Sequence, residues 1–236
     1  MKAAVYNGLF TNTLNAIPPL PPTCATGNCT WAPFRSLAVC AQIANISDKL
    51  NNTVDDPNRI SWALPNGAAL SFFRTNAGAI NVTNFAFNTS IAFPSYANVS
   101  IANFAVIADY SFGEGTNVTA IECLLHFCVK ELKAQVVNGN LVSQEWDINH
   151  VPTSSVDNRI KYGDGTTIKD ANGDVYNGRL VGADEFNANL FTGSSQDGST
   201  STDVAQQFSI ALFSPPQDME LVRITMNNIA ESMSNK

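Results

Sequence analysis

The sequence predicts a mainly β, α+β fold: a β-sandwich-like core of short antiparallel strands, with a short N-terminal helix and a C-terminal amphipathic helix. Three observations carry this. From Ile60 to Phe112, short β-branched or aromatic runs alternate with Asn, Ser, Pro and Gly, the texture of sandwich strands and their turns. Asn138-Gly139, a type I′ turn dipeptide, separates two apolar runs. After Pro215-Pro216, Val222, Met226, Ile229 and Met233 recur at helical spacing. At 236 residues the chain is long enough to bury a sizeable core.

Three segments follow in order. Residues 1–22 read as an entry segment, Ala3 to Phe10, then a linker ruled by Pro18, Pro19, Pro21 and Pro22, which favour extended polyproline geometry. The N-terminus lacks the sustained apolar stretch of a signal peptide, so the chain reads as a mature or excised ectodomain. Residues 23–213 form the predicted disulfide-stapled domain, which opens with CATGNCTWAPFRSLAVC from Cys24 to Cys40. Within it, Leu37, Cys40, Ala41, Ala44 and Ile46 give an imperfect helical stripe, so a short helix is expected over 37–50. Asn51 to Arg59 is a polar loop. Strands are expected around Trp62 and Leu64, then over Ala69–Arg74, Ala79–Phe87, Ile91–Phe93 and Ile101–Tyr110, with Pro65-Asn66-Gly67 as a turn.

Ile121 to Trp146 reads as the best hairpin, since Leu132, Ala134 and Val136 alternate with polar neighbours before the Asn138-Gly139 turn. Residues 148–203 are turn-rich, the Ser/Gly/Thr tract at 193–202 reads as a mobile loop, and Phe208–Phe213 reads as a further strand. Residues 214–236 form the C-terminal helix, which Pro216 can open with Asp218 and Glu220 in its first turn.

Composition narrows the setting. Charged residues are 14% of the chain, against roughly 25% in typical soluble domains, so neutral polar groups must keep it in solution: 27 Asn, 19 Ser and 18 Thr. A net charge of −7, with no basic run, excludes nucleic acid and anionic membrane surfaces as partners. No stretch reaches the ~18 consecutive apolar residues of a membrane span. Seven N-x-S/T sequons occur, at Asn28, Asn45, Asn51, Asn81, Asn88, Asn98 and Asn117. None of the 11 later asparagines has one, although Ser and Thr continue to the end. Asn28 is the doubtful site, because its middle residue is Cys29 and a bridge there would hinder access.

Five cysteines are the disulfide candidates: Cys24, Cys29, Cys40, Cys123 and Cys128. Cys123 and Cys128 cannot pair with each other in regular structure. On a strand they lie about 16 Å apart on opposite faces, and a bridge needs Cα atoms within about 7 Å. One or both therefore bond elsewhere, with Cys24, Cys29 and Cys40 as the natural partners. Alternatively Cys24 and Cys29 close a tight local loop around Gly27. An odd count leaves at least one thiol free or paired between chains. The C-x4-C spacing is not that of a zinc site.

The strings GNCTW (Gly27 to Trp31), SLAVC (Ser36 to Cys40), LPNG (Leu64 to Gly67), Cys123-Leu124…Phe127-Cys128-Val129 and Asn138-Gly139 carry a resemblance. So does the segment Asn228-Ile229-Ala230-Glu231-Ser232-Met233. Together they resemble the extracellular cysteine-rich region of a large fungal family of membrane-anchored proteins of unknown function. The match spans nearly the whole chain. In that family a second cysteine usually follows the position of Cys40, where this chain has Ile43, and another precedes the LPNG turn, where this chain has none. The resemblance implies a fungal cell-surface or secreted location, with membrane attachment only through segments outside this chain. It supplies no catalytic residues.

The residues offer little chemistry. His126 lies in the cysteine-flanked strand and His150 before Val151-Pro152, and neither is accompanied by a G-x-S-x-G or H-E-x-x-H motif. Asp170, Asn172 and Asp174 alternate like a calcium loop, but the twelfth position is Val181 rather than Glu, so the stretch reads first as a hairpin tip and second as a weak calcium site. Glu122, Glu145, Asp184 and Glu185 are carboxylates that a glycosidase could use, with nothing to single them out. The expectation is thus a secreted or cell-surface glycoprotein domain acting by recognition or self-assembly. Its partner is a protein or glycan at the cell surface, or itself, and neither cofactor nor catalytic residue is assigned. A carbohydrate-active hydrolase and a structural coat or filament subunit are the alternatives.

Overall fold

A computed structural model describes residues 2–11, 24–53, 56–74, 78–85, 87–97, 99–109, 117–149, 166–169, 175–178, 190–196, 199–213 and 219–234. The fold is mainly β with helices, as predicted. Its spine is β8 (Val118–Val137), 20 residues long and therefore roughly 60 Å from end to end. One flank of β8 is taken by β2 (Phe34–Asn45) and then, at Val136 and Gln135, by β1 (Cys29–Thr30). The other flank pairs first with β7 (Ser100–Asp109) and, past Val129, with β9 (Asn140–Asn149). The sheet continues outward from β7 through β6 (Ala79–Asn84) to β12 (Gly193–Gln196) and β13 (Ser199–Thr200). A three-stranded sheet of β3 (Asn51–Thr53), β4 (Arg59–Ala63) and β5 (Ala69–Phe73) is separate, as is the antiparallel pair β10 (Thr166–Lys169) and β11 (Val175–Gly178).

Strand alternation decides what each face of the spine meets. Ile121, Cys123, Leu125, Phe127 and Val129 join one core with Val5 and Leu9 of α1 (Lys2–Phe10), Val204 and Phe208 of α2 (Asp203–Phe213), and Val222, Met226 and Ile229 of α3 (Met219–Ser234). Phe104 of β7 stacks on Phe191 within it, ring centroids 4.6 Å apart. The opposite face packs Ala120, Ala105 and Ile107 against Ile60, Leu70 and Phe72 of the small sheet. The entry segment, the β domain and the C-terminal helix therefore share a core.

Helices α1 and α3 run antiparallel in close contact. Asn7 Nδ2 donates to Ser232 Oγ (3.0 Å), and one residue further on a Cβ at Gly8 would lie 2.4 Å from Ile229 Cα. Only glycine fits there. At the far end of α3, Ser234 Oγ accepts from the Val39 N–H (2.8 Å) and so occupies one outward amide of β2.

The hairpin, the Pro65-Asn66-Gly67 turn and the C-terminal helix stand where the sequence puts them; Asn138 and Gly139 both adopt left-handed φ, 52° and 78°. Five expectations are corrected. The polar stretch 51–59 is not all loop, since Asn51–Thr53 is strand β3 on the edge of the small sheet and Arg59 opens β4. Residues 37–50 are not a helix: Phe34–Asn45 is strand β2, followed by a single 3₁₀ turn at Ser47–Lys49. Its Leu37, Val39, Ala41 and Ile43 pack on the helix side, while Ala38 and Cys40 are buried on the other. A strand buried on both faces supplies apolar residues at helical offsets by coincidence. Phe208–Phe213 is part of α2, which the Thr202 hydroxyl caps by accepting from Ala205 N–H (3.2 Å). The tract 193–202 contains β12 and β13 rather than a loop. Ile91–Phe93 is a bend, because two of its amides turn inward to a buried carboxylate described below.

Candidate functional site

The cysteines sort by strand parity. Cys40 and Cys128 lie diagonally across the β2–β8 ladder, where Cys40 faces His126 and Ala38 faces Cys128, and they form a disulfide with Cα atoms 5.8 Å apart. Cys123 is odd in the same count, so its side chain falls on the helix face of β8; it is free and buried. Burial first, and the neighbouring Glu122 charge second, push its thiol far above the ordinary range, which leaves it unreactive. Cys123 and Cys128 do not pair, as their spacing required.

The remaining bridge, Cys24–Cys29, closes a small ring around Gly27, whose φ is 72°. This ring docks on the tip of the β8–β9 hairpin. Gly139 N–H donates to Gly27 O (2.8 Å), and Asn138 N–H donates to Asn28 Oδ1 (2.9 Å). Both outward amides of the turn are thereby satisfied by the ring, and β1 continues the contact as a short strand beside Val136 and Gln135. Trp31, half-buried, adds one more bond from its N–H to Ala134 O (3.1 Å).

The sequons divide by environment. Asn28, Asn45, Asn51, Asn88 and Asn117 are exposed, Asn81 is half-buried in β6 between β7 and β12, and Asn98 lies outside the described residues. They are not gathered on one side. Asn45 and Asn117 sit at the start of β8, where Asn45 pairs with Ile121, and Asn28 sits at its far end. The sequon-free sequence after 117 is likewise no separate body, since β8 runs through the middle of the sheet.

The polar residues on the small-sheet side of β8 form a cluster that sequence reasoning missed. Glu122 is fully buried. Its Oε1 accepts from Ser90 Oγ (2.5 Å), and its Oε2 accepts from Ile91 N–H (3.0 Å) and Ala92 N–H (2.7 Å). Four positions on, His126 is 1% exposed, with Nδ1 2.9 Å from Phe127 O. A carbonyl only accepts, so the proton sits on Nδ1, leaving Nε2 to face Gln42 Nε2 at 3.5 Å. Gln42 also donates to Tyr96 OH (2.8 Å), whose ring lies 4.8 Å from the imidazole. The signal was present in the string IECLLHFCV, in which a carboxylate and an imidazole interrupt an otherwise apolar run. Sealed from solvent, neither group has an open side toward a substrate, and the cluster fastens the 90–96 segment to the sheet. General acid–base work requires reach to a reacting proton, which this arrangement denies.

Glu145 lies on β9, paired with Leu132 of β8. His150, Asp170, Asn172, Asp174, Asp184 and Glu185 lie outside the described residues, and β10 and β11 flank the 170–174 stretch as an antiparallel pair. Among the described residues no group of three His, Cys, Asp or Glu side chains could hold a metal ion, and no helix is long and apolar enough to cross a membrane. No family model, curated protein or solved structure matches this chain.

Proposed function

We propose that this chain is an exported, disulfide-stapled, N-glycosylated β domain at the cell surface, working by contact through recognition or self-assembly. The observation that carries it is the pair of disulfides, one joining neighbouring strands of the main sheet and one closing the ring on the hairpin tip. Such bridges persist in oxidising compartments and are rare in reducing ones. Five exposed sequons and a surface low in charge support the same setting. The resemblance to the fungal membrane-anchored family favours a cell-surface position. Contact rather than catalysis is supported by the burial of Glu122 and His126, and by Phe34, Val137 and Val142, which stand exposed around the β8–β9 arm.

The test is non-reducing peptide mapping of the protein secreted by a eukaryotic host, with sedimentation velocity on the same sample. Two bridges, Cys24–Cys29 and Cys40–Cys128, with glycosylated asparagines are expected. Five reduced thiols and bare asparagines would overturn the exported reading. For the contact surface, Phe34→Ser should weaken self-association or capture of surface glycan or protein; unchanged behaviour in both would remove the arm from the proposal.

A further inference from the structure

The seven sequons are alike as sequence, but Asn28 and Asn81 differ in which side-chain amide atom is hydrogen-bonded. We propose that Asn28 carries an N-linked glycan that coexists with the Cys24–Cys29 disulfide, and that Asn81 stays bare because its nitrogen pins the small sheet to the large one. The inference rests on the exported reading above and reverses the order that the sequence alone suggests, in which Asn28 is the doubtful site.

The chemistry separates the two atoms of the side chain. Transfer from a lipid-linked oligosaccharide diphosphate forms a bond between Asn Nδ2 and the first sugar carbon. The bond from that carbon to the diphosphate breaks, and one amide proton is lost. The oxygen Oδ1 remains an acceptor throughout, whereas Nδ2 keeps a single hydrogen.

At Asn28 the structural contact uses the oxygen. Asn138 N–H donates to Oδ1, and the backbone N–H and C=O of Asn28 both engage Thr26 Oγ1 (3.4 and 2.9 Å). Nδ2 has no hydrogen bond within the described residues, and the residue is exposed. A sugar on Nδ2 therefore leaves the ring, the bridge and the turn contacts as they are. It would project from the tip of the β8–β9 arm.

At Asn81 the contact uses the nitrogen. Nδ2 donates both to Ala69 O, on β5 of the small sheet, and to Thr83 Oγ1 at 2.9 Å. Both amide hydrogens are thus committed. Asn81 is also hemmed in along its own sheet, opposite Ile107 of β7 on one side and Ser194 of β12 on the other. Ala79 on the same face is buried in the core that the two sheets share. A sugar at Asn81 would part β5 from β6, so chains modified there do not reach this fold.

The test removes sequon hydroxyls and leaves both asparagines in place; Thr83→Ala also takes away one of the two acceptors of Asn81 Nδ2, so it is read only for the number of glycans lost. Thr30→Ala and Thr83→Ala variants are secreted from a eukaryotic host and compared with the parent by electrophoretic mobility. Glycosylated positions are marked by enzymatic deglycosylation in heavy-oxygen water and read by non-reducing peptide mass spectrometry. We expect the T30A variant to lose one glycan's mass, T83A to lose none, and the parent to show label at Asn28 on a peptide still holding the Cys24–Cys29 bridge. Label at Asn81, or bare Asn28 beside labelled Asn45, Asn51, Asn88 or Asn117, overturns this inference while leaving the exported reading intact. Absence of label at every sequon removes the N-glycosylated part of the proposed function and this inference with it, while the exported reading stands or falls on the two bridges.

Discussion

At the scale of single residues, Glu122 and Cys123 are adjacent in sequence and equally buried, yet they point to opposite faces of β8 and differ in chemistry. Glu122 is charged and buried, and it is tolerated because three donors converge on it. Glu122→Ala would leave two backbone N–H groups and the Ser90 hydroxyl without an acceptor. At about 1–3 kcal/mol for an orphaned buried group, softened by relaxation, a loss of about 3 kcal/mol is expected in urea unfolding. Cys123 is apolar in behaviour and sealed beneath the helices. Iodoacetamide should therefore label no thiol in the native, unreduced protein and one thiol once denaturant is added; rapid native labelling would contradict its burial. That Glu122 is buried could have been read from its apolar neighbours, but its partners could not. Ser90, Ile91 and Ala92 reach it from about 30 positions away along a bend with no hydrophobic pattern of its own.

At the scale of elements, period-2 and turn signals were legible and double-sided burial was not. The outer end of β8, where Leu132, Ala134 and Val136 are more buried than Lys133, Gln135 and Val137, the β4–β5 hairpin and helix α3 each bury one face, and each shows that face in its pattern. Strand β2 is buried on both faces at its centre, so Leu37, Cys40, Ala41 and Ala44 imitated a helix. The stretch Phe208–Phe213 reads as a strand because the buried residues described on α2, Val204, Ala205 and Phe208, lie at or before its start, as does the Thr202 cap. The α1–α3 seam shows the same limit. Nothing in KAAVYNGLF announces that Gly8 touches backbone 221 positions away. Gly8→Ala places a methyl group against Ile229 backbone that cannot yield as a side chain would. A destabilisation of about 2–3 kcal/mol is expected, with α1 exchanging its amide hydrogens faster than the sheet.

At the scale of the whole molecule, the two disulfides do different work. Cys40–Cys128 spans 88 positions and ties β2 to the spine, whereas Cys24–Cys29 spans 5. In the chain-entropy model these loops contribute about 4–5 and about 2 kcal/mol respectively. Thermal melts should accordingly show the Cys40→Ala, Cys128→Ala double variant falling well below the Cys24→Ala, Cys29→Ala variant. The ring variant should mainly fray the hairpin tip, visible as faster exchange at Asn138 and Gly139. The sequence sent one or both of Cys123 and Cys128 to a partner elsewhere, and the register of β2 against β8 joins Cys128 to Cys40.

The parity of the spine has one more consequence. Cys40 can reach Cys128 only when an even-numbered residue of β8 looks toward the small sheet, and Cys123 is odd. A nascent chain that closed the wrong bond, Cys40 to Cys123, would have to present β8 inside out, with its carboxylate and imidazole thrust among the helices. Such a chain cannot complete the core and stays open to thiol exchange until the bond is undone. The spare cysteine is therefore harmless by arithmetic, and the covalent link doubles as an error check on strand alignment.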